Sequence, residues 1–261
     1  MAESHPGRNG PVSALPASLN LRDLGGIETA DGRRTRPGTL FRSGVISRLD
    51  DTALEALDGL GIATVYDLRA NHEREQRQVV WHLERPIAYH TRDYEVSLAD
   101  LDAMFAQDGF SNAELQAFIV TVYRSLPMEQ SDSFKELFHF ILHGRLPLLF
   151  YCTGGKDRTG IAAALILFAL GASQQDIDRD YCLTEGAAEG LLERLLQDPR
   201  YARLGTLPRA RFMPMMVCDP TNLHAAFDEM KQRFGSVEAY LETQLGVRPK
   251  EILRLRERLL G

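Results

Sequence analysis

Apolar residues alternate between two textures along this chain. In LDDTALEALDGLG, Leu54 and Leu57 fall on one face of a short helix that ends at glycine, and IATVYDLR follows as a β-rich run without a polar side, the mark of a buried strand. Before them, LNLRDLGGIETADGRRTRPGTLFRSG breaks short apolar runs at Gly25-Gly26 and Asp31-Gly32, which predicts brief strands joined by tight turns. AYHTRDY, near residue 90, reads as a further strand. Two one-sided helices come next. SNAELQAFIVTVYRSLP opens with a Ser111/Glu114 capping box, carries Leu115, Phe118, Ile119 and Val122 on one face, and is expected to stop before Pro127. SDSFKELFHFILHG repeats the design with Ser133 and Glu136 at its start and Gly144 at its end. LPLLFYC is then a central strand, and TGIAAALILFALG is apolar on nearly all sides, as a buried helix is. Helical patterns fill the remainder, including one opened by Asp219-Pro220 and closed by Gly235, and two more up to Leu260.

Strands interleaved with helices early and helices alone late predict an α/β fold with a mostly parallel central sheet flanked by helices and a helical C-terminal part. The first sixteen residues, MAESHPGRNGPVSALP, have no apolar core and read as a flexible tail before one domain over 17–261. A length of 261 residues with 44% hydrophobic content suits such a domain, and the net charge of −6 argues against a general nucleic-acid binder, which must neutralise many phosphates. No apolar stretch is long enough to span a bilayer, so stable membrane insertion is not expected. Three scattered cysteines, Cys152, Cys182 and Cys218, build no disulfide framework or paired zinc site and point to a reducing, cytoplasmic setting.

One loop concentrates the chemistry. YCTGGKDRTG, residues 151–160, joins the central strand to the buried helix, and such a turn aims backbone N–H groups and the positive end of a helix dipole at one point. That point binds an anion. Gly154 and Gly155 permit the conformations that turn the donors inward, Thr153 and Lys156 complete the cradle, and the planar fork of Arg158 can grip two oxygens of a tetrahedral anion. Phosphate-like oxyanions should therefore inhibit. Cys152, beside these donors and cations, is placed as a nucleophile toward phosphorus, with the Thr159 hydroxyl ready to bond its sulfur as it leaves. A Walker A loop does not fit, because Phe150 stands at the first glycine position and Asp157 follows the lysine. A sulfur-transfer or arsenate-reducing enzyme, and a catalytically inactive phosphate-binding module of the same fold, remain alternatives. So does a merely structural Cys152.

Cys152, five residues, Arg158 and Thr159 form the signature of the protein tyrosine phosphatases, and CTGGKDRTG resembles their bacterial branch with Cys-x-x-Gly-Lys-Asp-Arg loops, which has a secreted mycobacterial member. NLRDLGG, LFRSG, VYDLR and AAFDEMKQRFGSVEAYL resemble stretches of that branch as well, so the likeness covers nearly all of the chain after residue 17. The resemblance implies a phosphatase acting through a phosphocysteine intermediate, without metal or cofactor, on phosphorylated protein or phosphoinositide substrates: phosphotyrosine, and also phosphoserine, phosphothreonine and inositol lipids. It makes Cys152 the nucleophile, Arg158 the phosphate clamp, Lys156 an added positive charge for polyanionic lipids and Asp157 a general acid. It also allows export without a signal peptide. Tyr151 departs from the superfamily, which usually has histidine there.

Proton donation to the leaving oxygen has three candidates: Asp157 inside the cradle, Asp67 at the end of VYDL on the same sheet edge, where it could also meet substrate, and Asp93 in TRDY. Asp67 reads equally well as a strand-end partner of Arg69. Asn20, Arg22 and Asp23 either line the pocket or brace the turn at Gly25-Gly26. His139 and His143 have the spacing of a zinc pair but lack a third ligand, which favours an ordinary packed helix. Cys182 and Cys218 read as core residues, either of which could shield an oxidised Cys152 if close enough. The helical pair over 111–143 is either a lid, as the resemblance implies, or two helices packed on the sheet.

Overall fold

The computed structural model describes residues 15–95, 111–197, 205–206, 208–209 and 213–261. Five strands form one sheet: β1 (Arg22–Asp23), β2 (Leu40–Ser43), β3 (Thr64–Asp67), β4 (Ala88–Thr91) and β5 (Leu148–Tyr151). Their order is β1-β2-β5-β3-β4, with β1 antiparallel to β2 and every other pair parallel. LLFY of β5 is buried along its whole length because helices cover both faces, which is why its sequence shows no polar alternation. Leu148 and Phe150 enter the larger core, while Leu149 and Tyr151 enter a smaller one with Ala53, Leu57 and Trp81.

The helices follow as α1 (Asp51–Asp58), α2 (Asn71–Gln76), α3 (Asn112–Glu129), α4 (Ser131–His143), α5 (Asp157–Leu170), α6 (Gln174–Cys182), α7 (Ala188–Leu196), α8 (Pro220–Phe234), α9 (Val237–Thr243) and α10 (Pro249–Leu259). Ser111 and Asp219 cap their helices as the sequence predicts, and Asp50, Ser173 and Ser236 do the same for others, each accepting a bond from a backbone N–H of the first turn. Helix α5 is buried almost all round and ends at Gly171, whose φ of 88° only glycine adopts without strain. Tyr151 at the end of β5 lies opposite Ser43 of β2 and Asp67 of β3, so the loops after these three strands open on one edge of the sheet.

Three expectations change. Helix α3 continues through Pro127 to Glu129: the proline removes only the bond its N–H would donate one turn back, while Leu126 is buried and the Tyr240 hydroxyl donates to the Pro127 carbonyl at 2.6 Å. Ser133 does not cap α4, which starts at Ser131 straight after α3 and buries Ser133 in its first turn; Glu136 instead accepts from the Tyr66 hydroxyl at 2.9 Å. Of the expected tail over residues 1–16, Leu15 joins the smaller core and Pro16 leads into the packed chain, while residues 1–14 lie outside the described residues. Helices α3 and α4 both sink their apolar stripes into the larger core, Leu115, Ile119, Tyr123 and Leu126 from one and Phe134, Leu137, Phe138 and Ile141 from the other. Among the described residues no helix is long and apolar enough to cross a membrane.

Candidate active site

The loop from Cys152 to Lys156 leaves the C-terminal end of β5 and enters α5 at Asp157. Three of its carbonyls bond to residues packed behind it. The Thr153 carbonyl accepts from the Val45 N–H at 3.1 Å. The Gly154 carbonyl accepts from Asn20 Nδ2 at 3.2 Å, and the Gly155 carbonyl accepts from Asn20 Nδ2 at 3.0 Å and Arg42 Nη2 at 2.8 Å. A trans peptide is planar, with its N–H opposite its C=O, so fixing these carbonyls behind the loop turns the N–H groups of Gly154, Gly155 and Lys156 to the front. None of the three donates to an acceptor among the described residues. The first turn of α5 adds further amides with no partner inside the helix. The result is a bowl of unspent donors, the geometry that binds tetrahedral anions.

Close packing explains the spelling. Gly155 has φ of 66°, and a Cβ there would stand 2.4 Å from the Gly44 nitrogen and 2.5 Å from the Ser43 carbonyl carbon, so the loop can lie on the end of β2 only with glycine at this position. At Gly160 a Cβ would meet the Tyr181 ring at 3.0 Å.

Arg158 is held from behind by a residue the sequence reading passed over. Glu73, in the first turn of α2, accepts from Arg158 Nη1 at 2.5 Å and Nη2 at 2.7 Å, and also from the Thr153 hydroxyl and the Ala70 N–H. Burial disfavours the Glu73 carboxylate, but the Arg158 charge and these bonds outweigh it and hold the group well below the usual range. Arg158 Nη1 also donates to the Tyr94 hydroxyl at 2.9 Å. Nε has no such partner among the described residues. The one available signal for Glu73 was a glutamate three residues after Ala70, at the start of a helix on the same sheet edge as Cys152.

The other candidates divide. Cys152 lies at the base of the bowl, 2% exposed. The buried Thr159 hydroxyl has no partner among the described residues, so it can bond a sulfur or an oxygen. Lys156 is buried, its ammonium donating to the Met215 carbonyl at 2.7 Å and lying 3.1 Å from Asp157 Oδ1. It stabilises the loop and its neighbour in this state and is not presented to a lipid headgroup. Asp157 is half-exposed and accepts from the Tyr123 hydroxyl of α3 at 2.5 Å, which itself lies 2.5 Å from the Tyr181 hydroxyl. Burial pushes the Asp157 carboxyl up, but Lys156 and Tyr123 prevail and hold it below the usual range.

Asp67 does not reach the bowl. It is 1% exposed and both its oxygens are taken, by Arg69 Nε at 2.9 and 3.0 Å and Nη2 at 2.6 Å and by the hydroxyls of Tyr89 at 2.7 Å and Tyr151 at 3.0 Å. Asp67 is thus a buried strand-end ion pair with no oxygen to offer a substrate. This also gives Tyr151 its place: its hydroxyl reaches back to β3. Asp93 is exposed and pairs with Arg74 at 2.7 Å. Asp23 braces turns, accepting from the N–H groups of Gly25 at 2.8 Å and Gly38 at 2.6 Å, whereas Asn20 and Arg22 stand behind the loop. His143 Nδ1 rests on the His139 carbonyl at 3.0 Å, and no cluster of metal-holding side chains occurs among the described residues. All three cysteines are free; the Cys182 sulfur lies 3.7 Å from the Cys218 carbonyl, and burial pushes the Cys218 thiol up to about 11.

The chain is similar to known proteins. Residues 13–261 match the tyrosine phosphatase family. A Cupriavidus necator protein assigned as a tyrosine-protein phosphatase is 33% identical over 241 residues, 90% of this chain and 84% of the relative. The triple specificity protein phosphatase PtpB of Mycobacterium tuberculosis is 30% identical over 283 residues, 96% of this chain and 99% of the relative. A tyrosine-protein phosphatase of Nostoc commune is 29% identical over 84% of this chain and 73% of its own length.

Proposed function

The chain belongs to the tyrosine phosphatase family, and we propose that it hydrolyses phosphotyrosine through a phosphocysteine intermediate on Cys152. The observation that carries this reading is the bowl itself: three loop carbonyls bonded behind, three amides unspent in front, with Cys152 at one end and the held fork of Arg158 at the other. The amides and Arg158 Nε bind the phosphoryl oxygens. Cys152 Sγ attacks phosphorus, the S–P bond forms as the P–O bond to the tyrosine breaks, and Asp157 gives the leaving oxygen its proton. Water then attacks the phosphocysteine, Asp157 takes the water's proton, and the S–P bond breaks to release phosphate as the Thr159 hydroxyl donates to the departing sulfur. Asp157 is suited to the second step as the free enzyme holds it, ionised beside Lys156 and Tyr123. For the first step it needs a proton, which a bound dianion favours by its negative charge, so turnover is expected to favour mildly acidic pH.

A range wider than phosphotyrosine, reaching phosphoserine, phosphothreonine and phosphoinositides, is a second reading. It is supported by the likeness to a triple specificity phosphatase over almost the whole chain. The burial of Lys156 weighs against direct contact with an inositol headgroup. Inhibition by phosphate-like oxyanions belongs to the same proposal, as does a reducing, cytoplasmic setting, which three free thiols suit. The test is phosphate release from a phosphotyrosyl peptide, a phosphoseryl peptide and a phosphatidylinositol monophosphate side by side at pH 5 to 7. Turnover of the first alone supports a tyrosine phosphatase, comparable turnover of all three supports the wider range, and no turnover of any overturns both in favour of an inactive phosphate-binding module.

A further inference from the structure

Behind the bowl lies a set of buried polar residues that the reaction does not touch. Arg42, fully buried on β2, donates through Nη1 to Asp180 Oδ2 at 2.5 Å and through Nη2 to the Gly155 carbonyl. Arg22 donates through Nε to the other oxygen of Asp180 at 2.8 Å, through Nη2 to the Asp180 carbonyl at 2.7 Å, and through Nη1 to Asn20 Oδ1 at 2.6 Å. With its oxygen claimed by a guanidinium, the Asn20 amide has one orientation, Nδ2 toward the carbonyls of Gly154 and Gly155. The Thr184 hydroxyl lies 3.2 Å from the same nitrogen. Asn20 itself has left-handed backbone, φ 52° and ψ 26°, a conformation asparagine tolerates better than most residues.

We propose that Asn20 and Arg42, fixed by Arg22 and Asp180, are positioning residues that hold the anion bowl in its binding form before any substrate arrives. The chain of bonds fixes which way the peptides after Gly154 and Gly155 face. If those carbonyls were released, either peptide could turn and put a carbonyl oxygen where a phosphoryl oxygen must sit. The cost of desolvating four buried polar side chains makes sense if they fix a conformation that packing alone does not. Two guanidinium groups sharing one carboxylate also leave a net positive charge close behind the cradle, which adds to the attraction for a dianion.

This inference rests on the reading of loop 152–158 as a phosphate cradle, and the experiment separates the two. Tungstate serves as the probe, its inhibition constant measured against a small aryl phosphate together with kcat and KM. The wild type is compared with Asn20→Gly, which keeps the left-handed backbone but removes the amide, and Arg42→Lys, which keeps the charge but cannot serve Asp180 and Gly155 together. Both variants are expected to bind tungstate at least tenfold more weakly, with KM rising in parallel, while circular dichroism shows a folded protein. Unchanged tungstate affinity with only a lowered melting temperature would overturn the positioning role. A wild type that neither binds tungstate nor turns over substrate would overturn the cradle, and the inference with it. If the variants do not fold, NMR of the wild type decides: tungstate should shift the amide resonances of Gly155 and Lys156 and slow their exchange, and tungstate binding that leaves both unmoved overturns the proposal that these peptides are held facing the anion.

Discussion

Replacing Glu73 by glutamine keeps the side chain's size and removes its charge. The carboxylate accepts four bonds, from Arg158 Nη1 at 2.5 Å, Arg158 Nη2 at 2.7 Å, the Ala70 N–H at 2.8 Å and the Thr153 hydroxyl. Glutamine turns one acceptor oxygen into a donor facing donors, and Arg158 cannot reverse its N–H groups as the threonine hydroxyl can. Both side chains are largely buried, 15% and 10% exposed, so water does not restore the lost partner. Breaking such a pair from one side costs about 3–5 kcal/mol, a large part of the roughly 5–15 kcal/mol that holds a domain together. Urea unfolding at pH 7 is the assay, and the midpoint of Glu73→Gln should fall by ~1–2 M. The pH dependence has a definite sign. The folded carboxylate titrates below its unfolded value of about 4.3, so its contribution is present above that value and is lost as pH falls toward the folded one. Wild type and variant should therefore converge in acid. A difference below ~1 kcal/mol at pH 7, or one that does not shrink in acid, would refute the role given to this pair.

Tyr123→Phe removes the hydroxyl that stabilises the ionised Asp157, so the carboxyl should titrate higher and the high-pH limb of the kcat profile should move to higher pH; an unmoved limb would exclude Asp157 as the proton-transfer group. Asp67→Asn strands the buried Arg69 guanidinium and should cost about 3–5 kcal/mol in urea unfolding while KM for a phosphotyrosyl peptide stays unchanged. A raised KM at unchanged stability would instead place Asp67 against the substrate.

The strand-loop-helix unit around Cys152 was legible because its information is local: an apolar run, two glycines and a capped helix start lie within a few residues. NLRDLGG and LFRSG were legible as short strands and a turn, and beyond that only as a resemblance. Their physical content, Asn20 and Arg42 reaching the carbonyls of Gly154 and Gly155 across more than a hundred residues, needs the register of β1 on β2 and β2 on β5. Glu73 was hidden for the same reason. In the polar stretch NHEREQ only its place three residues after Ala70 separates it from Glu75, and the parallel alignment of β3 with β5 brings it to Arg158. Tyr123 was not singled out beside the stripe of Leu115, Phe118, Ile119 and Val122, because its ring is core and only its hydroxyl, at the far end of the side chain, reaches Asp157. The Asp67 alternatives stayed open because strand-end carboxylates pair or catalyse with the same sequence, and only the three partners of its oxygens distinguish them.

The central claim, that Cys152 carries the phosphoryl group, is tested most directly by mixing wild type and Cys152→Ser with a phosphotyrosyl peptide, quenching within milliseconds and mapping the phosphate by mass spectrometry. The account predicts a phosphorylated Cys152 in the wild type during turnover, and a serine variant that binds the peptide but releases no phosphate. Phosphate release by Cys152→Ser at the wild-type rate, or phosphate found on another residue, would contradict it.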